Sequence, residues 1–368
     1  LAHDWYAGGS AWREMDRLDG KPNPIFRSWL AHPSYDAWWQ AMIPYRDEFA
    51  DIDIPVLSTT GYFDGGQVGA LYYFDQHTHY RPNADHTLVI GPFGHFTMQT
   101  GVDRTIQGYD VDPAAMIDLQ QLRFDWFDHV FKGAPKPELL QDRVNYEVMG
   151  ANVWRHAPTL DAMANDRQRL YFGTQQDAGR YRLADAASKK DEAVAQSVDF
   201  KDRGDAAWTP PMDALTPTLD AHGGLVFAGE PAKTATEVEG LFSGELDFAA
   251  NKRDLDISVA LYEQLPDGRY FQLAYYLARA SYAQDRTQRH LLTPGTRQHL
   301  AFHAGRITAR LLQPGSRLVV VLSVPKESDQ QINYGTGKDV SDETIADAKE
   351  PLRVRWFGDG FIDVPERK

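Results

Sequence analysis

The sequence predicts the closing part of a doubly wound parallel α/β sheet, carrying the remnant of a helical cap and followed by an all-β sandwich of jelly-roll type. Three observations lead there. Two apolar runs of strand length, Ile54-Pro55-Val56-Leu57-Ser58 and Thr87-Leu88-Val89-Ile90, are separated by an amphipathic segment of helix length, as parallel neighbours require. A second helical segment follows, and then Lys132-Gly133-Ala134-Pro135-Lys136-Pro137-Glu138, where two prolines and a glycine cannot continue a helix. Beyond that stretch the apolar period shortens to two, with turn signals between short runs and no helices among them.

Residues 1–48 read as helices and loops forming part of a cap. Pro33 and Asp36 stand at a helix start, ahead of Trp38 and Trp39. Residues 49–134 carry the C-terminal part of the α/β domain. The unbroken apolar run at 54–58 predicts a strand buried on both faces. Gln67 to His79 is the expected crossover helix, with Val68, Leu71, Tyr72 and Phe74 inward. A long amphipathic helix is expected from Pro113 to Phe131 through Met116, Leu119, Leu122, Trp126 and Val130. Residues 135–368 are assigned to the sandwich, with strands at 144–150, 256–262, 271–277 and 317–323. The polar, alanine- and aspartate-rich stretch 184–224 is expected to be a surface excursion.

At 368 residues the chain is long enough for two cores, and 42% hydrophobic with 24% charged is ordinary for globular protein. No stretch approaches the roughly 18 consecutive apolar residues of a membrane-spanning helix. The acidic excess, 52 Asp and Glu against 38 Lys and Arg for a net charge of −14, argues against a nucleic-acid partner. The absence of cysteine excludes a disulfide framework, a thiol nucleophile and thiolate metal sites. Composition leaves cellular compartment and oligomeric state open.

The chemistry lies at the two strand ends. The first run breaks into Gly61-Tyr62-Phe63-Asp64, the second into Gly91-Pro92-Phe93-Gly94-His95. A carboxylate and then an imidazole, at the ends of consecutive parallel strands, is the order in which an α/β-hydrolase delivers the last two members of its triad. A serine hydroxyl is a poor nucleophile at neutral pH, so an imidazole must take its proton during attack, and a carboxylate must orient the ring. Alone, His95 reads as a loop histidine and Asp64 as a turn aspartate before Gly65-Gly66. Paired in this order they read as catalytic base and acid. No Gly-x-Ser-x-Gly occurs, and Gly8-Gly9-Ser10-Ala11-Trp12 puts tryptophan where the elbow needs a small residue, so Ser10 reads as a loop or cap serine. The chain opens on Leu1 in mid-pattern. The expectation is therefore the C-terminal portion of a longer enzyme, whose missing N-terminal segment carries the nucleophile.

Other clusters receive plainer readings. Asp75, His77, His79 and His86 suggest zinc by residue type, but positions two apart on a helix face different ways, and a solvated helix terminus is expected. Asp110-Val111-Asp112 and Asp254-Leu255-Asp256 lack the ligand spacing of a calcium loop and read as surface turns. No metal or cofactor is expected. Trp5, Trp29, Trp38 and Trp39 fit an acyl pocket under a cap and fit packing equally well.

Together the blocks Ile54 to Asp64 and Leu88 to His95, and the strand Tyr146-Glu147-Val148-Met149-Gly150-Ala151-Asn152-Val153-Trp154-Arg155, resemble the cocaine-esterase-like (CocE/NonD) serine hydrolases. That group includes X-prolyl dipeptidyl-peptidases, α-amino-acid ester hydrolases and glutaryl acylases. Leu30-Ala31-His32-Pro33 with Tyr35-Asp36, Asp254-Leu255-Asp256, Pro266-Asp267-Gly268-Arg269 and Arg279-Ala280-Ser281 match as well, so the likeness spans the whole chain. It departs at Phe93, where many relatives carry tryptophan, and at Gly65-Gly66-Gln67, which leaves the subgroup unassigned. The resemblance implies a Ser-Asp-His hydrolase with Asp64 as acid and His95 as base, acting on a small ester, amide or short peptide. The competing class is a non-catalytic β-sandwich that recognises carbohydrate or a protein partner.

Overall fold

The computed structural model describes residues 1–189 and 191–368. Strand β1 (Val56–Phe63) and strand β2 (His86–Gly94) pair in parallel, from Val56 opposite His86 to Gly61 opposite Gly91. Strand β2 is buried from His86 through Phe93, as its apolar run requires. The expectation of two-face burial fails for β1, which is mostly half-buried. It ends the strand order of its sheet, so among the described residues its outer edge has no neighbour.

The crossover helix spans Gln67–Tyr80 and buries Leu71 and Phe74 against β2. Val68 is exposed, contrary to the inward position expected for it, because Gln67 occupies the buried site in that first turn. The second helix runs Leu119–Lys132 and does not begin at Pro113. The side chain of Asp118 accepts from the amides of Gln120 and Gln121 and sets the start there, leaving Pro113–Ala115 as a separate 3-10 turn and Met116 exposed. Gly133 at φ 68° closes the helix in the left-handed conformation that glycine adopts without penalty.

The strands Val144–Val148 and Val153–Ala157, assigned from sequence to the sandwich, extend the first sheet instead. Val144–Val148 lies parallel to β2, with Leu88 opposite Val144, and Val153–Ala157 returns antiparallel beside it. The alternation Val144-Asn145-Tyr146-Glu147-Val148 imitates a half-exposed strand, yet all five residues are buried. Asn145 is accommodated by hydrogen bonds to the carbonyls of Leu88 and Asp142 and by His156.

Apart from the short pair Thr105–Ile106 and Tyr109–Asp110, the remaining strands among the described residues form one mixed, largely antiparallel twelve-stranded sheet. The predicted runs appear as Asp256–Gln264, Tyr270–Arg279 and Arg317–Ser323, which lie side by side. Phe271 and Leu273 near one end of the strand order share a core with Leu352 and Val354 near the other, so the sheet curls onto itself. The stretch 184–224 is more than a surface excursion. It contributes the strand Ala193–Val198, paired with Leu352–Phe357, and buries Val194, Phe200 and Ala214.

Residues 1–48 make short helices at Ala2–Gly8, Met15–Leu18, Pro24–Leu30 and Ala37–Gln40, the last capped by the Asp36 side chain. Trp5 and Tyr6 belong to the core of the large sheet, which decides for packing at Trp5. Trp38 stacks on His32, and the Trp39 indole donates to the His32 carbonyl, so both support the local turn while Trp29 stays exposed.

Candidate active site

The ends of β1 and β2 converge because two glycines permit it. A Cβ at Gly61 would stand 1.9 Å from the Phe93 carbonyl oxygen, and one at Gly91 would meet the Phe93 ring at 2.7 Å. The ladder shifts register between Gly61 and Phe63, a bulge that re-aims the chain after the strand. The Gly94 amide donates to Thr97 Oγ1 at 2.9 Å and fixes the turn around His95.

This geometry brings the two sequence-derived candidates together. His95 Nδ1 lies 2.9 Å from Asp64 Oδ1. The Asp64 side chain is 15% exposed and that of His95 67%, so the acid is sheltered and the ring reaches outward. Asp64 Oδ1 also accepts from the Gly66 amide at 2.8 Å, and Oδ2 from Thr60 Oγ1 at 3.3 Å. Burial pushes the Asp64 carboxyl up, but the Gly66 amide, His95 and Thr60 together outweigh it and hold its pKa below the usual value. An ionised carboxylate only accepts hydrogen bonds, so the shared proton sits on His95 Nδ1, an arrangement that in the neutral ring leaves the lone pair on Nε2. Thr60 and Gly66 were not singled out by sequence reasoning, although both lie within four residues of the acid.

Beside the turn, a cleft of about 210 Å³ is lined by Tyr62, Phe63 and Gly65 on one side and by Gln272, Tyr275 and Arg306 of the large sheet on the other. Two larger hollows, of about 750 and 500 Å³, lie along the large sheet and touch neither Asp64 nor His95.

The histidine cluster does not form the solvated helix terminus expected of it. Asp75 and His79 are exposed, whereas His77 and His86 are buried and bonded through their Nδ1 atoms at 3.0 Å. His77 Nε2 faces the Ile52 carbonyl at 3.1 Å, and His86 Nε2 faces Ser58 Oγ at 2.8 Å. A carbonyl can only accept, so His77 donates through Nε2, accepts from His86 at Nδ1, and leaves His86 Nε2 to accept from Ser58. Burial, and then the neighbouring His77, push His86 down to about 4. Among the described residues no three His, Asp or Glu side chains are arranged to hold a metal ion.

The two aspartate turns also differ from expectation. Asp254 is fully buried, accepting from the Leu255 and Ser281 amides, the Ser281 hydroxyl and Arg289, while Asp256 pairs with Arg279 through both oxygens. Asp110 is exposed, but Asp112 accepts from the Tyr109 hydroxyl and the Gly150 amide, tying the loop after His95 to the first sheet. Beside it Glu147 is wholly buried, with the Asp112 side chain as its hydrogen-bonding neighbour. Burial, and then the negative charge of Asp112, push Glu147 up to about 9, so it is uncharged at neutral pH.

Two family models match this chain. That of the X-Pro dipeptidyl-peptidase (S15 family) covers residues 3–97, and that of the X-Pro dipeptidyl-peptidase C-terminal non-catalytic domain covers residues 140–350. Cocaine esterase from Rhodococcus sp. (strain MB1 Bresler) is 24% identical over an alignment of 339 positions that covers 85% of this chain and 56% of that protein. An aminopeptidase from the marine sediment archaeon Thaumarchaeota archaeon superposes with a TM-score of 0.79 at 20% identity, over 100% of this chain and 64% of its own. An α-amino acid ester hydrolase gives 0.78 at 18% identity, over 99% and 64%. A CocE/NonD family hydrolase from Staphylococcus aureus gives 0.65 at 15% identity, over 96% and 62%. The chain thus spans less than two thirds of the length of these relatives. Shared fold and matched models agree: the chain belongs to the cocaine-esterase-like (CocE/NonD) hydrolase family, which includes the X-Pro dipeptidyl-peptidases.

Proposed function

We propose that this chain supplies the acid and base of a serine acyl hydrolase, with Asp64 and His95 completing a triad whose serine lies in a segment preceding Leu1. The observation that carries the reading is the 2.9 Å contact of His95 Nδ1 with Asp64 Oδ1, which leaves Nε2 on an exposed ring. In the reaction Nε2 takes the serine proton as the hydroxyl attacks an ester or amide carbonyl, and returns it to the departing alcohol or amine. Asp64 holds the tautomer and stabilises the imidazolium without taking the proton. Substrates of this reading are small esters, amides or short peptides, by analogy with the named relatives. No specific observation favours the competing carbohydrate- or partner-binding class.

The division of the chain follows the same proposal. Residues 1–48 are part of a cap, and residues 49–134 the C-terminal part of an α/β-hydrolase domain whose sheet also includes Val144–Val148 and Val153–Ala157. The strands beyond them form a jelly-roll sandwich. The open edge of β1 is where a preceding strand would pair. The test compares residues 1–368 with the full-length protein. The chain alone is expected to take no fluorophosphonate label and to hydrolyse no p-nitrophenyl ester above background. The full-length protein should take one label per chain and lose turnover by orders of magnitude on His95→Ala. Stoichiometric labelling of Ser10 or Ser58 in the chain alone, or a folded His95→Ala protein with normal turnover, overturns the proposal.

A further inference from the structure

We infer that Arg306, on the large sheet, is a positioning residue for Asp64, so that the segment matched as a non-catalytic domain holds the acid in place; the inference rests on the catalytic reading of Asp64. The strand Gln298–Leu312 runs past the turn that follows β1. Arg306 Nη1 donates to the Asp64 carbonyl at 3.0 Å, and Nη2 to the Gly65 carbonyl at 3.3 Å. The next residue continues the tie: the Ile307 amide donates to Gln67 Oε1 at 2.8 Å, and Gln67 Nε2 donates to the Gly61 carbonyl at 2.9 Å. Gln67 is fully buried, so this link is shielded from water.

The turn needs outside support. Gly65 and Gly66 follow the acid directly, and glycine gives the backbone the greatest freedom. Beyond its own chain neighbours no atom lies within 4 Å of where a Gly65 Cβ would stand, so packing does not stiffen that residue. Rotation there would carry off the Gly66 amide, which shares Asp64 Oδ1 with His95. A planar guanidinium can bond two successive carbonyls from one fixed orientation, and the Tyr275 ring, 4.8 Å from Arg306 Cζ, helps to set that orientation. A lysine ammonium cannot reproduce the fork.

The experiment uses the full-length protein carrying Arg306→Gln, Arg306→Lys or Asp64→Asn. It reads kcat, KM, the melting temperature and the low-field NMR signal of the His95 Nδ1 proton. Arg306→Gln is expected to lower kcat on the order of 10²-fold, the effect of a misplacement near 1 Å, with KM little changed and the low-field signal shifted or broadened. Arg306→Lys should recover only part of both. A folded Arg306→Gln protein with wild-type kcat and an unaltered low-field signal overturns the inference. Should that variant not fold, wild-type kcat and signal in Arg306→Lys overturn it instead. Retained turnover in Asp64→Asn would remove the catalytic reading itself. The low-field signal would then still report whether Arg306 holds the turn, which separates the two failures.

Discussion

Replacing Asp64 by asparagine isolates charge from geometry at this site. The Gly66 amide donates to Oδ1, so in Asp64→Asn it selects the amide oxygen for that position and turns the NH₂ toward the Thr60 hydroxyl, which can accept. His95 Nδ1 therefore still finds an acceptor and keeps its tautomer; what vanishes is the negative charge that, in the proposed mechanism, faces the imidazolium formed in the transition state. At 2.9 Å that attraction is about 6 kcal/mol for an effective dielectric near 20, and about 3 kcal/mol if the exposed ring doubles the screening. The expected loss in kcat is thus between about 10² and 10⁴, at about 1.4 kcal/mol per factor of ten. The assay is steady-state hydrolysis of a p-nitrophenyl ester by the full-length protein, with circular dichroism to verify folding. A folded variant within threefold of wild-type kcat, roughly 0.6 kcal/mol, refutes the argument. Stability supplies an independent sign. Because the folded-state pKa of Asp64 is depressed, its contribution is present above the ordinary carboxylate range and lost as pH falls below it. The melting-temperature gap between wild type and variant should close below about pH 4.

Two further outcomes follow from buried groups. Glu147 holds a proton in the folded protein up to about pH 9, whereas the unfolded chain releases it above the ordinary glutamate value of about 4.3. Stability contributed at this site therefore falls as pH rises across that window. Glu147→Gln should gain melting temperature on wild type from acidic toward alkaline pH, and a pH-independent difference would refute the burial argument. His86, depressed to about 4, stabilises the fold above its ordinary value near 6.5 and ceases to do so as pH falls toward 4. Urea denaturation of His86→Gln should accordingly show a smaller loss of stability than wild type between pH 7 and pH 5; equal losses would contradict the buried His77–His86 pairing.

What the sequence by itself determined is local or nearly so. The apolar runs of β1 and β2, the amphipathic helix between them, and the glycines that end both strands are set by side-chain periodicity and backbone sterics within a few residues. The meeting of Asp64 and His95 was legible for the same reason, since each closes a contiguous motif and parallel pairing of consecutive strands places such ends together. Tertiary structure alone decided which sheet received Val144–Val148, because alternation specifies which way side chains point and not which strand is the neighbour. It decided that His77, His86, Asp254 and Glu147 are buried, since polar residues enter a core only where distant partners or a retained proton remove the cost of charge. It also decided that Arg306 meets the Asp64 turn across 242 positions of chain, a contact created by the docking of one sheet against another and written in no local pattern.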